Sequence, residues 1–139
     1  MSEASHVDVV KAIYAAFGRG DVATILGHLD PEVQWQVNGP PTIAGMGLSR
    51  GHAGVLEFFG ALSKVEMLAY EPRTFLADGD SVVVLGWEKG RYRDTGRSWE
   101  AHWAQAFRFV AGRVVSYTEY IDSHAIAVAH GAESGASPR

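Results

Sequence analysis

The sequence contains no cysteine. It therefore forms no disulfide, no thiolate metal site and no thiol nucleophile. That composition suits a reducing compartment, and the cytoplasm is the expected location. Long apolar runs are also missing, and nothing approaches the roughly 20 residues that a membrane helix needs. The opening Met-Ser-Glu-Ala-Ser-His6 has neither the basic nor the apolar region of a signal peptide. Positive charge is scarce: 12 Lys+Arg stand against 16 Asp+Glu, for a net charge of -4. With no basic cluster, a duplex nucleic acid is not an expected partner, and neither is a membrane. The six histidines show no His-x-His or His-Glu-x-x-His spacing, so neither a metal site nor a cofactor is expected.

What is present describes one domain. The 139 residues are 47% apolar and 20% charged, enough to bury a core and too apolar for a disordered chain. Residues 1–139 read as a single unit, with 1–4 and 129–139 expected to be flexible. The tail after Val128 is small and polar, with nothing to bury.

Helices come first. Ser5 reads as an N-cap with Asp8 three residues on. Val7, Val10, Tyr14 and Phe17 follow at helical spacing. Asp21 caps a second helix, which Asp30-Pro31 stops. Val33 to Val37 alternates and reads as a short strand. Gly45 to Gly51 reads as a flexible lip of a pocket; it lacks the ending of a phosphate loop. Gly51 to Leu62 reads as a third helix, with Phe58 inward. Four strands then follow, over Val65–Leu76, Val82–Tyr92, Ser98–Val110 and Val114–Ile121, joined by tight turns. Pro72 argues for an edge position of the first of these. Asp122 caps a short final helix. Helices before an antiparallel meander make an α+β domain.

Strand parity selects candidate site residues. Trp99, Trp103, Gln105, Phe107 and Phe109 share one face, and His102 lies on the other. The same reading puts Val115, Tyr117 and Glu119 inward, with Val83, Leu85, Trp87 and Lys89, and with Trp35 and Val37. The inward set then has three polar members, Gln105, Glu119 and Lys89, rimmed by Trp35, Trp87 and Trp103. Apolar walls with a few convergent polar groups describe a small-molecule pocket. Glu119 is the candidate acid or base, because an inward carboxylate in a dry site has a raised pKa. Lys89 would oppose that shift, and Gln105 could donate to a developing enolate oxygen. The pocket reading competes with plain core tryptophans and with an ion pair between Glu119 and Lys89 or an arginine.

Several stretches, in order, carry a family resemblance: Ile13-Tyr-Ala-Ala-Phe-Gly-Arg-Gly-Asp21, Leu29-Asp-Pro-Glu-Val-Gln-Trp35, Arg50-Gly-His-Ala-Gly-Val-Leu-Glu-Phe-Phe59, Leu76-Ala-Asp-Gly-Asp-Ser-Val-Val-Val-Leu-Gly86, Phe107-Arg-Phe-Val-Ala-Gly-Arg-Val-Val115 and Glu119-Tyr-Ile-Asp122. The chain resembles the SnoaL-like branch of the nuclear transport factor 2-like superfamily. That resemblance implies a cone-shaped α+β fold, with N-terminal helices in the concave face of a curved antiparallel sheet and a deep apolar pocket. It also implies a homodimer through the outer sheet face, which the small outward Ala104 and Ala106 would allow.

The family is functionally mixed, and carrying its residues over one by one removes options. A ketosteroid isomerase would need a phenol, a base and a second carboxyl at Ile13, Val37 and Gln105. Tyr14 sits one residue from the phenol position. A limonene-type epoxide hydrolase would need Arg, Asp and an acid at Trp87, Lys89 and Glu119. A cyclase-type carboxylate is matched by Glu119, and Gln105 stands where many relatives have His. The resemblance leaves an acid/base isomerase, cyclase or dehydratase acting on an apolar carbonyl, polyketide-like or terpenoid compound. Tyr14, Trp35, Val37, Phe58, Trp87, Trp103 and Tyr117 would line its pocket. The alternative is a non-catalytic binding or interaction module of the same fold.

Overall fold

The computed structural model describes residues 2–131. Its order is α1 (Glu3–Gly18), α2 (Val22–His28), β1 (Leu29–Asn38), β2 (Gly47–Arg50), α3 (Gly51–Leu62), β3 (Val65–Asp78), β4 (Ser81–Tyr92), β5 (Ser98–Val110), β6 (Arg113–Ile121) and α4 (Ser123–His130). The six strands form one curved sheet in the order β2-β1-β6-β5-β4-β3. The β3–β6 meander is antiparallel as expected, while β1 joins β6 in parallel, so the sheet is mixed.

The helices begin where side chains can cap them. Ser2, not Ser5, caps α1: its side chain accepts from the Ser5 N–H at 3.0 Å. The Glu3 carboxylate then takes the Gly79 N–H at 2.6 Å, which ties the start of α1 to the β3–β4 turn. Asp21 caps α2 through the Thr24 N–H at 3.1 Å. Asp122 caps α4, and Gly131 ends it in the left-handed region at φ 93°. Ala129 is a buried residue of α4, so the polar tail starts later than Val128 suggested. The rest of the flexible-tail reading, 132–139, lies outside the described residues, as does residue 1.

Two strands differ from expectation. β1 begins at Leu29, and its pairing with β6 breaks between Leu29 and Gln34, where Pro31 has no N–H to give. Part of the expected loop lip is the edge strand β2, paired with β1 from Gln34↔Arg50 to Val37↔Gly47. β3 is the opposite edge, and its register shifts at Pro72/Thr74 as the proline suggested.

The core lies between α1–α3 and the inner sheet face, around Val10, Ile25, Leu29, Phe107 and Phe109. Each such side chain contributes about 1.5–3 kcal/mol on burial. One parity reading fails at a bulge. The β5–β6 register shifts between Arg108 and Phe109, which turns Val114 inward in place of Val115.

The inner face of β4 is set by glycine. Gly86 pairs with Trp103 and Gly90 with Trp99, and both indoles lie across β4. A Cβ on Gly86 would sit 2.4 Å from the Trp103 ring and 2.7 Å from the Glu71 carbonyl oxygen. A Cβ on Gly90 would sit 2.4 Å from the Trp99 ring. Gly60, inside α3, would meet nothing within 4 Å. Gly86→Ala is therefore expected to destabilise the domain by about 1–3 kcal/mol, since rigid ring and backbone must move. Gly60→Ala is expected to stabilise it by up to about 1 kcal/mol through helix propensity. Urea denaturation of both variants checks the contrast, and equal effects would contradict it.

Candidate active site

Because β4 turns Gly86 and Gly90 inward, it also turns Glu88 inward and Trp87 and Lys89 outward. Parity read from the sequence puts the opposite face of this strand inward. Val83, Leu85, Trp87 and Lys89 are as apolar a set as Val82, Val84, Gly86 and Glu88, so hydrophobicity alone does not choose between them. Trp87 lies under the Arg73 guanidinium, 5.5 Å from ring centre to Cζ, and lines no cavity. Lys89 faces Glu100 across the strands and is not a site residue. The two-apart positions facing inward on β4 are thus Gly86 and Glu88, which adds a carboxyl to the site.

A cavity of about 100 Å³ lies between the helices and the sheet. Tyr14, Trp35, Val37, Phe58, Tyr117, Gln105 and Glu119 line it as expected. So do Tyr70, Glu88 and Trp99, which the sequence reading did not assign to it. Trp103 is buried one layer back, stacked on Tyr70 at 5.2 Å between ring centres. Trp35 stacks on Tyr117 at 3.8 Å and forms the opposite aromatic wall.

The polar groups form one connected set. The Tyr14 hydroxyl donates to Gln105 Oε1 at 2.7 Å. Gln105 Nε2 donates to the Tyr70 hydroxyl at 2.8 Å and to Glu119 Oε2 at 2.5 Å. A phenol from α1 therefore reaches the site, even though Tyr14 stands one position from where the isomerase pattern puts it. Gln105 spends both amide hydrogens inside the network. It holds its neighbours in place, and the free hydroxyl hydrogen is that of Tyr70. Burial pushes the phenols of Tyr14, Tyr70 and Tyr117 up, so they stay protonated donors.

Both carboxyls are shifted by their surroundings. Glu88 is 4% exposed and Glu119 8%. Burial, followed by the nearby Glu119 charge, pushes Glu88 up to about 8. Burial pushes Glu119 up to about 7, with the Gln105 hydrogen bond pulling the other way. The Trp99 indole N–H donates to Glu88 Oε2 at 2.9 Å. No lysine, arginine or histidine among the described residues lines the cavity. The ion-pair alternative for Glu119 is therefore not realised. No group of His, Asp and Glu among the described residues is arranged to hold a metal ion.

The shifts make stability depend on pH. Each carboxyl has a folded pKa above the ordinary 4.5, so the folded state holds its proton more tightly than the unfolded chain. Their contribution is complete below about 4.5 and is lost as pH rises through about 7 to 8. Unfolding free energy should fall by a few kcal/mol, as an order of magnitude, between those limits. Glu88→Gln should flatten much of that fall. Urea melts from pH 5 to pH 8 check it, and a wild-type stability that rises with pH over this range would contradict it.

Known proteins share this fold. A family model described as a SnoaL-like domain matches residues 10–117. An NTF2-like protein from Burkholderia xenovorans LB400 is 36% identical, with a TM-score of 0.85 over 93% of this chain and 98% of that one. An NTF2-like protein of unknown function from Burkholderia pseudomallei K96243 is 28% identical, with a TM-score of 0.83 over 93% and 98%. TerC, co-crystallised with polyporic acid, is 24% identical, with a TM-score of 0.81 over 90% and 97%, and is similar in fold. No curated protein matches the chain. No helix among the described residues is long and apolar enough to cross a membrane. The matched residues span α2, β1, β2, α3 and β3–β5 whole, with just over half of α1 and of β6, and the chain belongs to the SnoaL-like domain family.

Proposed function

We propose that the chain is a small acid/base enzyme that moves a proton at a carbon next to the carbonyl group of an apolar compound. One observation carries this reading: Glu119 is a buried carboxyl on the cavity wall, held by Gln105, with no cation beside it among the described residues and a pKa pushed up to about 7. A base works best when its pKa lies near the working pH. Glu119 takes the proton from carbon. The Tyr70 hydroxyl donates to the oxygen on which charge develops. Gln105 and Tyr14 position that hydroxyl. The resulting enolate can be reprotonated elsewhere, attack a second carbonyl, or expel a β-hydroxyl. Isomerisation, cyclisation and dehydration therefore share this first step.

A second reading has support in one feature. Gln105 is fully satisfied within the protein, as a structural amide would be. The site would then bind an apolar molecule without turning it over. In either reading the homodimer contact falls on the outer sheet face. There Ala104 pairs with Leu85 and Tyr120, which are exposed large apolar side chains.

Deuterium exchange next to the carbonyl of a panel of ring ketones, followed by proton NMR, tests the enzyme reading. Glu119→Gln should abolish catalysed exchange while leaving the circular dichroism spectrum intact. Tyr70→Phe should slow exchange by about 10²-fold, the usual loss of one oxyanion donor. Full exchange in Glu119→Gln would overturn the assignment.

A further inference from the structure

The cavity is lopsided in charge. Its polar lining contains two carboxyls, Glu88 and Glu119, and neither lysine, arginine nor histidine among the described residues. Each carboxyl has one oxygen engaged, Glu88 Oε2 by Trp99 and Glu119 Oε2 by Gln105. The other oxygen of each meets no hydrogen-bond donor among the described residues, although both residues are more than nine-tenths buried. Proton transfer at carbon needs one base, so Glu88 is left without a role in that chemistry. Aromatic rings fill the space around it: Trp99 holds it, Tyr92 is on its own strand and Tyr70 is on β3.

We infer that the cavity takes an apolar ring compound bearing a protonated amine, that Glu88 receives the ammonium group, and that carboxylate and phosphate compounds are excluded. This rests on the reading that the cavity holds a ligand, and not on turnover. An ammonium in this place gives Glu88 the donor and the counter-charge that the protein withholds. Aromatic faces add a cation–π contribution. An anion entering the same space would find no cation among the described lining residues to neutralise it, and its burial in low dielectric would go uncompensated.

The groups that set the titration of Glu88 are few. Glu119 acts on it from β6 and the Trp99 indole from β5, and the phenols of Tyr117 on β6, Tyr70 on β3 and Tyr92 on its own strand lie near enough to feel its charge. His130 of α4 packs on the far side of Tyr92, at 5.0 Å between ring centres. Every acidic neighbour favours a protonated Glu88 in the empty site. Binding an ammonium should therefore drive a proton off Glu88, and affinity should rise with pH while the ligand itself stays protonated.

The test is calorimetric titration of the full chain with three compounds of one two-ring skeleton: 2-aminotetralin, 2-tetralone and tetralin-2-carboxylate. The amine should bind about tenfold or more tighter than the carboxylate, equivalent to about 1.4 kcal/mol. It should release protons in buffers of differing ionisation enthalpy, and its affinity should rise from pH 6 to pH 8.5. Glu88→Gln keeps the shape and an acceptor for Trp99, and should erase the preference for amine over ketone. Ketone binding with no preference for the amine would overturn this inference and leave the proposed function standing. Carboxylate binding as tight as that of the amine would also overturn it. Failure of all three to bind would overturn both.

Discussion

Glu119 sits in a space walled by aromatic and aliphatic side chains, and among the described residues the one group that holds its carboxyl is the Gln105 amide, 2.5 Å away. That contact organises the site. An ionised carboxylate in such a place is costly unless something compensates it, and a single neutral amide compensates only part of the cost. The remainder appears as a raised pKa, which is what suits the group to exchange a proton near neutral pH. The amide is itself oriented, because Tyr14 donates to its oxygen and Tyr70 accepts from its nitrogen. Three elements of the fold, α1, β3 and β5, thus converge to hold one side chain of β6.

The architecture explains why that convergence is possible. The β3–β6 meander places Gln105 and Glu119 directly opposite each other as cross-strand partners. Partners in an antiparallel pair project to the same face. The helices cover that face and exclude water from it. On the neighbouring strand, Gly86 and Gly90 leave room for the Trp103 and Trp99 indoles. Trp103 backs Tyr70, and Trp99 holds Glu88. Two glycines therefore help to position two functional groups without touching either.

Much of this was legible in the sequence, and the misses share a cause. Helix and strand order, the Asp21 and Asp122 caps, the inward face of β5 and the inward direction of Gln105 and Glu119 follow from periodicity and turn residues. The face of β4 did not, since both of its parities are apolar. The signal that resolves it is steric. If Trp99 and Trp103 point inward, their partners on β4 must be the residues without side chains, Gly90 and Gly86, and Glu88 follows between them. Tyr70 was hidden by a register shift between Met67 and Ala69, which puts Met67 and Tyr70, three apart, against one cavity. Val114 was misplaced by the bulge opposite Phe109. Simple alternation counts residues and does not see where one is inserted. The β2 edge strand was missed because its glycine-rich approach reads as a loop.

Glu119 and Glu88 form a buried carboxyl pair that titrates near neutral pH, with no cation among the described residues that line their cavity. This is tested most directly by carbon-13 NMR of the glutamate side-chain carboxyls between pH 3 and pH 9, with Glu119→Gln and Glu88→Gln used to assign the signals. Two signals should move together in the range of about 7 to 8, as the steps of a coupled pair. In Glu119→Gln, Glu88 should titrate lower than it does in the wild type, because the like charge has gone. Titration of Glu119 in the ordinary carboxylate range would contradict the account, because its carboxyl would then be solvated or paired with a cation and the site would have no group poised to move a proton.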